Sequence, residues 1–379
     1  MRRRRAAPAR ALVALTAAAA LAALGGCGGS TAPVVVPRPP RGAPPLRAGI
    51  VINALDAGRE RGAQLARARA LGAGWIREEL RWGEIERAPG RYDWRRFDAL
   101  MVAATRARLN VLPLLLGTPW WAGDGDLALP DDPAAFGAFA AHAAARYGPG
   151  GSFWREHPEL DARFAPRWFE LWNEPYTERF STNGVNPARY AAMVHAATVD
   201  GRAANGATRW LMAADLTYED AAGVRRNWLD ALAAADPGLM SVVDGVAVHP
   251  YTFGSPDDES ADVSLSFRFG RVRAIARELT ALGAGRAPLW ITEIGWSTCD
   301  VRPDCGSESD QAQWLADMYA LVRRRPLSGR VRAVFVYDLD DFPGAAADDR
   351  EGHFGVLRAD GTRKPAWSVV RREAQLASR

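Results

Sequence analysis

From Ala48 onward, short apolar runs alternate with longer stretches whose apolar residues recur at helical spacing. The runs predict strands at Gly49 to Ala54, Trp75 to Leu80, Asn110 to Leu116, Trp168 to Asn173, Trp210 to Ala214, Gly245 to His249, Leu289 to Glu293 and Ala333 to Tyr337. The amphipathic stretches predict helices at Arg59 to Leu71, Trp94 to Leu109, Pro133 to Tyr147, Pro187 to Asn205, Val224 to Ala234, Phe267 to Leu282, Glu308 to Arg324 and Pro365 to Gln375. Asp132-Pro133 and Asn186-Pro187 each place a capping side chain before a first-turn proline, and Ser307 with Asp310 forms a capping-box pattern.

Eight strands, each followed by a helix, match an α/β fold of the closed (β/α)8 TIM-barrel type, here as a single catalytic domain over 48–379. A doubly wound open sheet is the rival. It usually carries a glycine-rich phosphate loop after its first strand, and Asn53-Ala54-Leu55-Asp56-Ala57-Gly58 is not one. In barrels the active site sits at the C-terminal strand ends. Those ends carry Arg77 and Glu79, Trp120 and Trp121, Asn173 and Glu174, His249 and Tyr251, Glu293 and Trp296, and Tyr337 and Asp338, a grouping that strand termination alone does not require.

Glu174 and Glu293 stand out because each closes an apolar run beside aromatic residues. Two carboxyl groups facing one anomeric carbon, one protonated and one ionised, are what glycosidic cleavage needs. Arg77, Asn173, His249 and Tyr251 could bind substrate or orient the carboxyls, while Trp120, Trp121, Trp296 and Tyr337 could present flat faces to sugar C–H groups. Each has a structural alternative: an Arg77–Glu79 ion pair, a buried strand histidine, aromatics in the core. His195 reads as helix packing, and Trp172 and Trp290 as core. The loop Thr252 to Ser264 carries Asp257, Asp258, Glu259 and Asp262, but lacks the alternation of a calcium loop and reads as a solvated acidic loop. The chemistry calls for no metal and no organic cofactor.

The N-terminus changes the picture of charge and location. Residues 1–27 combine a cationic start, an apolar run from Ala11 to Leu24 and Gly25-Gly26-Cys27, the layout of an export signal too short to span a bilayer. Leu24-Gly25-Gly26-Cys27 fits a lipoprotein signal with Cys27 lipidated; an ordinary cleaved signal is the alternative. The proline-rich segment 28–47 reads as a tether, placing the domain outside the cytoplasm, lipid-anchored to the membrane or secreted. The formal charge of +4 rests on Arg2, Arg3, Arg4, Arg5 and Arg10; without them the net charge is slightly negative, which argues against nucleic acid as a partner. Export favours a local disulfide between Cys299 and Cys305 over two free thiols, and their spacing is no zinc signature.

Leu171-Trp172-Asn173-Glu174-Pro175, His249-Pro250-Tyr251 and Thr292-Glu293-Ile294-Gly295-Trp296 fall on the fourth, sixth and seventh strands, and in that order the chain resembles the clan A retaining glycoside hydrolases. Arg77 with Trp82, Glu84, Gly90, Tyr92 and Trp94, and the stretch from Phe354-Gly355-Val356-Leu357 through Gly361 to Lys364-Pro365, are similar to the cellulase-like family 5 and the xylosidase-like family 39. Gly117-Thr118-Pro119-Trp120-Trp121 lacks the histidine many family 5 enzymes place after strand three and is closer to family 39. The resemblance implies a carbohydrate substrate, Glu174 as acid/base and Glu293 as nucleophile, with Asn173 donating to the hydroxyl beside the anomeric carbon. Donors from Arg77 and Tyr251 to Glu293 would leave the shared proton on Glu174. A non-catalytic glycan-binding lipoprotein on the same barrel, or a transglycosylase, is the alternative.

Overall fold

The structure, a computed structural model, describes residues 45–55, 57–256, 268–302 and 304–377. The expected export signal, Cys27, nearly all of the tether and the acidic residues 257–262 lie outside them.

Eight parallel strands close into a barrel: β1 Arg47–Val51, β2 Trp75–Arg81, β3 Asn110–Leu116, β4 Trp168–Leu171, β5 Arg209–Ala213, β6 Gly245–Val248, β7 Leu289–Ile294 and β8 Val331–Val336. Each pairs with its neighbours in chain order, and β1 closes the ring against β8. The expected barrel is therefore present, with strand boundaries shifted by at most three residues; β1 already starts at the last residue assigned to the tether.

The principal helices are α1 Arg61–Leu71, α2 Arg95–Arg106, α3 Pro133–Tyr147, α4 Pro187–Ala204, α5 Trp228–Ala235, α6 Arg271–Ala281, α7 Glu308–Val322 and α8 Pro365–Ala377. The caps act where the sequence put them: the Asp132 and Asn186 side chains accept from Ala134 and Arg189 backbone N–H, and Ser307 with Asp310 forms the reciprocal box. One helix expectation needs correction. Arg225–Asn227 is not helical but pairs antiparallel with Thr217–Glu219, and α5 begins only at Trp228, where the Asn227 side chain caps Asp230 N–H. A side-chain cap at Asn227 fixes that start better than the apolar pattern could.

The barrel interior is layered by the two-residue period of its strands. Trp75, Trp168, Trp290, Ala333 and Phe335 pack in an apolar floor. Gly49 makes room for it, since a Cβ there would fall 2.3 Å from the Phe335 ring. Two residues further along three of these strands stand Arg77, Glu170 and Thr292, so the interior turns polar toward the C-terminal mouth.

Candidate active site

Strand β7 carries a one-residue bulge: Ile291 pairs with Val334 and Ile294 with Val336, so three steps on β7 oppose two on β8. A bulge re-aims side chains. Here the consecutive residues Thr292 and Glu293 both reach the interior, Thr292 toward Glu170 and Glu293 toward Arg77. Gly295 follows because a Cβ there would lie 1.9 Å from the Tyr337 carbonyl oxygen. After β4, Trp172 (φ 67°) and Glu174 (φ 39°) both adopt left-handed backbone, rare for such residues and paid elsewhere by the fold. The Trp172 indole anchors the turn by donating to the Phe180 carbonyl at 2.6 Å.

Arg77 is the hub. Its Nε and Nη2 donate to Glu170 at 2.6 and 3.1 Å, Nη2 also to Asn173 Oδ1 at 2.7 Å, and Nη1 to Glu293 Oε1 at 2.5 Å. The alternative pairing with Glu79 is not formed; Glu79 pairs with Arg81 near the surface. Tyr251 donates to Glu293 Oε2 at 2.9 Å. His249 lies 2.9 Å from Glu174 Oε1 through Nδ1 and 3.0 Å from Thr292 Oγ1 through Nε2, and Thr292 in turn donates to Glu170 at 2.9 Å. One oxygen of each catalytic candidate, Glu174 and Glu293, and a His249 ring nitrogen all lie within 4.8 Å of one another. The side chains of Glu174 and Glu293 keep 21% and 13% of their exposure, enough to meet a ligand.

Three carboxylates around two cations decide the protonation. Burial favours neutral Glu170, but the charge of Arg77, the nearby His249 at 3.9 Å and the bonds from Arg77 overcome it and bring its pKa to about 2. Burial would likewise lower His249, yet the charge of Glu293, the nearby Glu170 and the bond to Glu174 raise it to about 10. Burial also favours neutral Glu174, but the hydrogen bond and charge of His249, then Arg179 and Arg77, pull it below its usual value. The proton expected on Glu174 is thus shared with His249, 2.9 Å away, a partner that sequence could not place beside it.

The aromatic expectations divide. Tyr337 meets Tyr251 and Phe354 edge-on, with ring centroids 6.4 and 5.4 Å apart, and feels the charge of Glu293. Trp296 is only 3% exposed and its indole donates to the Gly254 carbonyl, so it braces a loop instead of offering a sugar platform. Trp120 is 80% exposed at the rim, tied by its indole N–H to the Arg87 carbonyl; Trp121 is half-buried against Trp82 and tied to Glu86. Neither is brought to the carboxylates by any of these contacts. Trp172 and Trp290 are fully buried, as expected. His195, expected in packing, is instead partly exposed and hydrogen-bonded to Asp236 at 2.6 Å. Cys299 and Cys305 form a disulfide in the loop after β7, which also leans on the loop after β8 through Thr298 N–H to the His353 carbonyl. Glu170 lies inside a strand and not at its end, so the pattern of strand ends does not reveal it; the signal for it is a lone acid inside Trp168-Phe169-Glu170-Leu171.

No family model matches the chain, and no curated protein matches it in sequence. Solved structures do. The chain is similar to a family 39 glycoside hydrolase from the gut symbiont Bacteroides cellulosilyticus WH2, with 21% identity over 90% of this chain and 66% of that one and a TM-score of 0.63. It is similar to a monomeric β-xylosidase from Caulobacter crescentus CB15, with 23% identity over 89% and 69% and a TM-score of 0.61. A GH5_18 protein from Streptomyces cattleya, solved in complex with GlcNAc, shares 17% identity over 89% and 81%, also with a TM-score of 0.61. These likenesses establish the barrel fold, in the same two families that the sequence motifs resemble. The chain spans about two thirds of the length of the first two.

Proposed function

We propose that this barrel is a retaining glycoside hydrolase that cleaves β-glycosidic bonds of a poly- or oligosaccharide by double displacement. The observation that carries the reading is the Glu174–Glu293 pair, with oxygens within 4.8 Å and different donors on each partner. That spacing suits direct attack with no intervening water, because retaining enzymes hold their carboxyls about 5–5.5 Å apart and inverting ones further. Glu293, which accepts from Arg77 and Tyr251, attacks the anomeric carbon. Glu174 protonates the departing oxygen.

The proton comes from the Glu174–His249 pair, which holds one proton between its members whichever carries it. Delivery leaves neutral imidazole beside ionised Glu174, while esterification removes the charge of Glu293. Glu174 then takes a proton from water, water attacks the glycosyl ester, and the pair regains its proton. Asn173 is oriented by Arg77 through its carbonyl, which frees its amide to donate to the hydroxyl beside the anomeric carbon, a contact that strengthens in the transition state. A sugar in place of water as acceptor would give transglycosylation through the same intermediate. The export signal and Cys27 support action outside the cytoplasm, at a membrane or in the medium.

Hydrolysis of a panel of aryl β-glycosides and polysaccharides tests the reading. Glu174→Gln and Glu293→Gln should each cut turnover by roughly a thousandfold or more with the fold intact. Wild-type rates in either variant would refute it.

A further inference from the structure

Tyr176 and Asp215 take no part in the chemistry above, yet they stand beside it. The Tyr176 ring is buried, with 8% of the residue exposed, and packs edge-on against fully buried Trp228 at 6.0 Å. Its hydroxyl makes no hydrogen bond to any described residue, although the ring is held two residues after Glu174. Unlike the enclosed Tyr319 hydroxyl, that of Tyr176 is open to solvent and so can meet a ligand. Asp215 lies two residues past the end of β5, and its Oδ1 accepts from Arg271 Nε at 2.7 Å and from Leu216 N–H at 2.6 Å. Its Oδ2 has no hydrogen-bond partner among the described residues, and its side chain keeps 23% exposure. Tyr176 follows Glu174 by two residues, Asp215 follows the neighbouring strand β5 by two, and Trp228, packed on Tyr176, donates to the Ala213 carbonyl at the end of β5, so both groups lie on the acid/base side of the site.

Resting on the proposed function, we infer that Tyr176 and Asp215 form a subsite for the leaving group, and that this leaving group is itself a sugar. A group departing from the anomeric carbon must lie on the side of the residue that protonates it. There the protein offers one hydroxyl donor and one carboxylate acceptor, complementary to neighbouring hydroxyls on a neutral pyranose and wasted on an aryl or alkyl group. Burial keeps the tyrosine hydroxyl protonated and therefore a donor. The buried cation of Arg271 fixes the carboxylate so that only Oδ2 faces the ligand.

The test compares a β-linked oligosaccharide with the glycosyl fluoride of the same glycone, whose fluoride makes no such contacts. Tyr176→Phe should lower kcat/KM for the oligosaccharide about tenfold or more beyond any loss on the fluoride, chiefly through KM, with an unchanged thermal midpoint. Asp215→Asn should act in the same direction. Equal losses on the two substrates, or no loss on the oligosaccharide, overturn the subsite. If wild type cleaves nothing, calorimetric binding of the oligosaccharide decides. Affinity that falls in Tyr176→Phe overturns only the hydrolase reading, and affinity that is absent or unchanged overturns the subsite as well.

Discussion

Glu170→Gln isolates the charge balance on which the site depends. Glu170 is fully buried and accepts three hydrogen bonds, two from Arg77 and one from Thr292. Glutamine has one acceptor oxygen and an NH2 group that only donates, so at least one of those donors must face another N–H. The folded-state pKa of about 2 against an ordinary value of 4.5 corresponds to about 3 kcal/mol at 1.36 kcal/mol per unit. Breaking a buried pair by removing one charge costs a similar roughly 3–5 kcal/mol. The sign follows from a depressed carboxylate: its stabilisation is complete above pH 4.5 and lost as the pH falls through about 2. Urea unfolding of wild type and variant between pH 3 and 7 should therefore show a gap of about 3 kcal/mol at neutrality that shrinks by more than half at pH 3. A gap below about 1 kcal/mol, or one that stays constant with pH, would mean that Glu170 is not the buried anion holding Arg77.

Two further predictions concern catalysis. Arg77→Lys keeps the charge but loses the fork that reaches Glu170, Asn173 and Glu293 together, so kcat/KM should fall by about a hundredfold, measured on whichever β-glycoside the wild type cleaves. In His249→Asn the proton must rest on Glu174 alone; the alkaline limb of kcat/KM, set near 10 by the shared proton, should drop by about two units or more, and an unmoved limb would refute the shared-proton account. The same raised pKa means that the contribution of His249 to stability is present below pH 6.5 and lost as the pH rises through about 10.

The barrel was legible because each strand is a short, nearly continuous apolar run and several helices announce their starts with Asp-Pro, Asn-Pro or Ser-x-x-Asp. Glu174 and Glu293 were legible because they end such runs beside aromatics. What stayed hidden depends on contacts across the barrel. That His249 donates to Glu174 requires knowing how the ends of β4 and β6 approach each other, and β5 lies between them in the ring. That Thr292 and Glu293 both point inward requires the bulge in β7, which leaves no mark in the apolar pattern. Trp296 and Trp120 show the converse, since an aromatic beside a glutamate can be a brace in one loop and an exposed rim residue in another.

Double displacement requires Glu293 to form a covalent bond to the sugar. Incubation with activated 2-deoxy-2-fluoro β-glycosides, followed by proteolysis and mass spectrometry of the peptides, tests it directly because the fluorine slows breakdown of the ester. A fluoroglycosyl adduct on the peptide containing Glu293, absent from Glu293→Gln, is the predicted result. Turnover of these substrates with inverted anomeric configuration, or an adduct on any other residue, contradicts it.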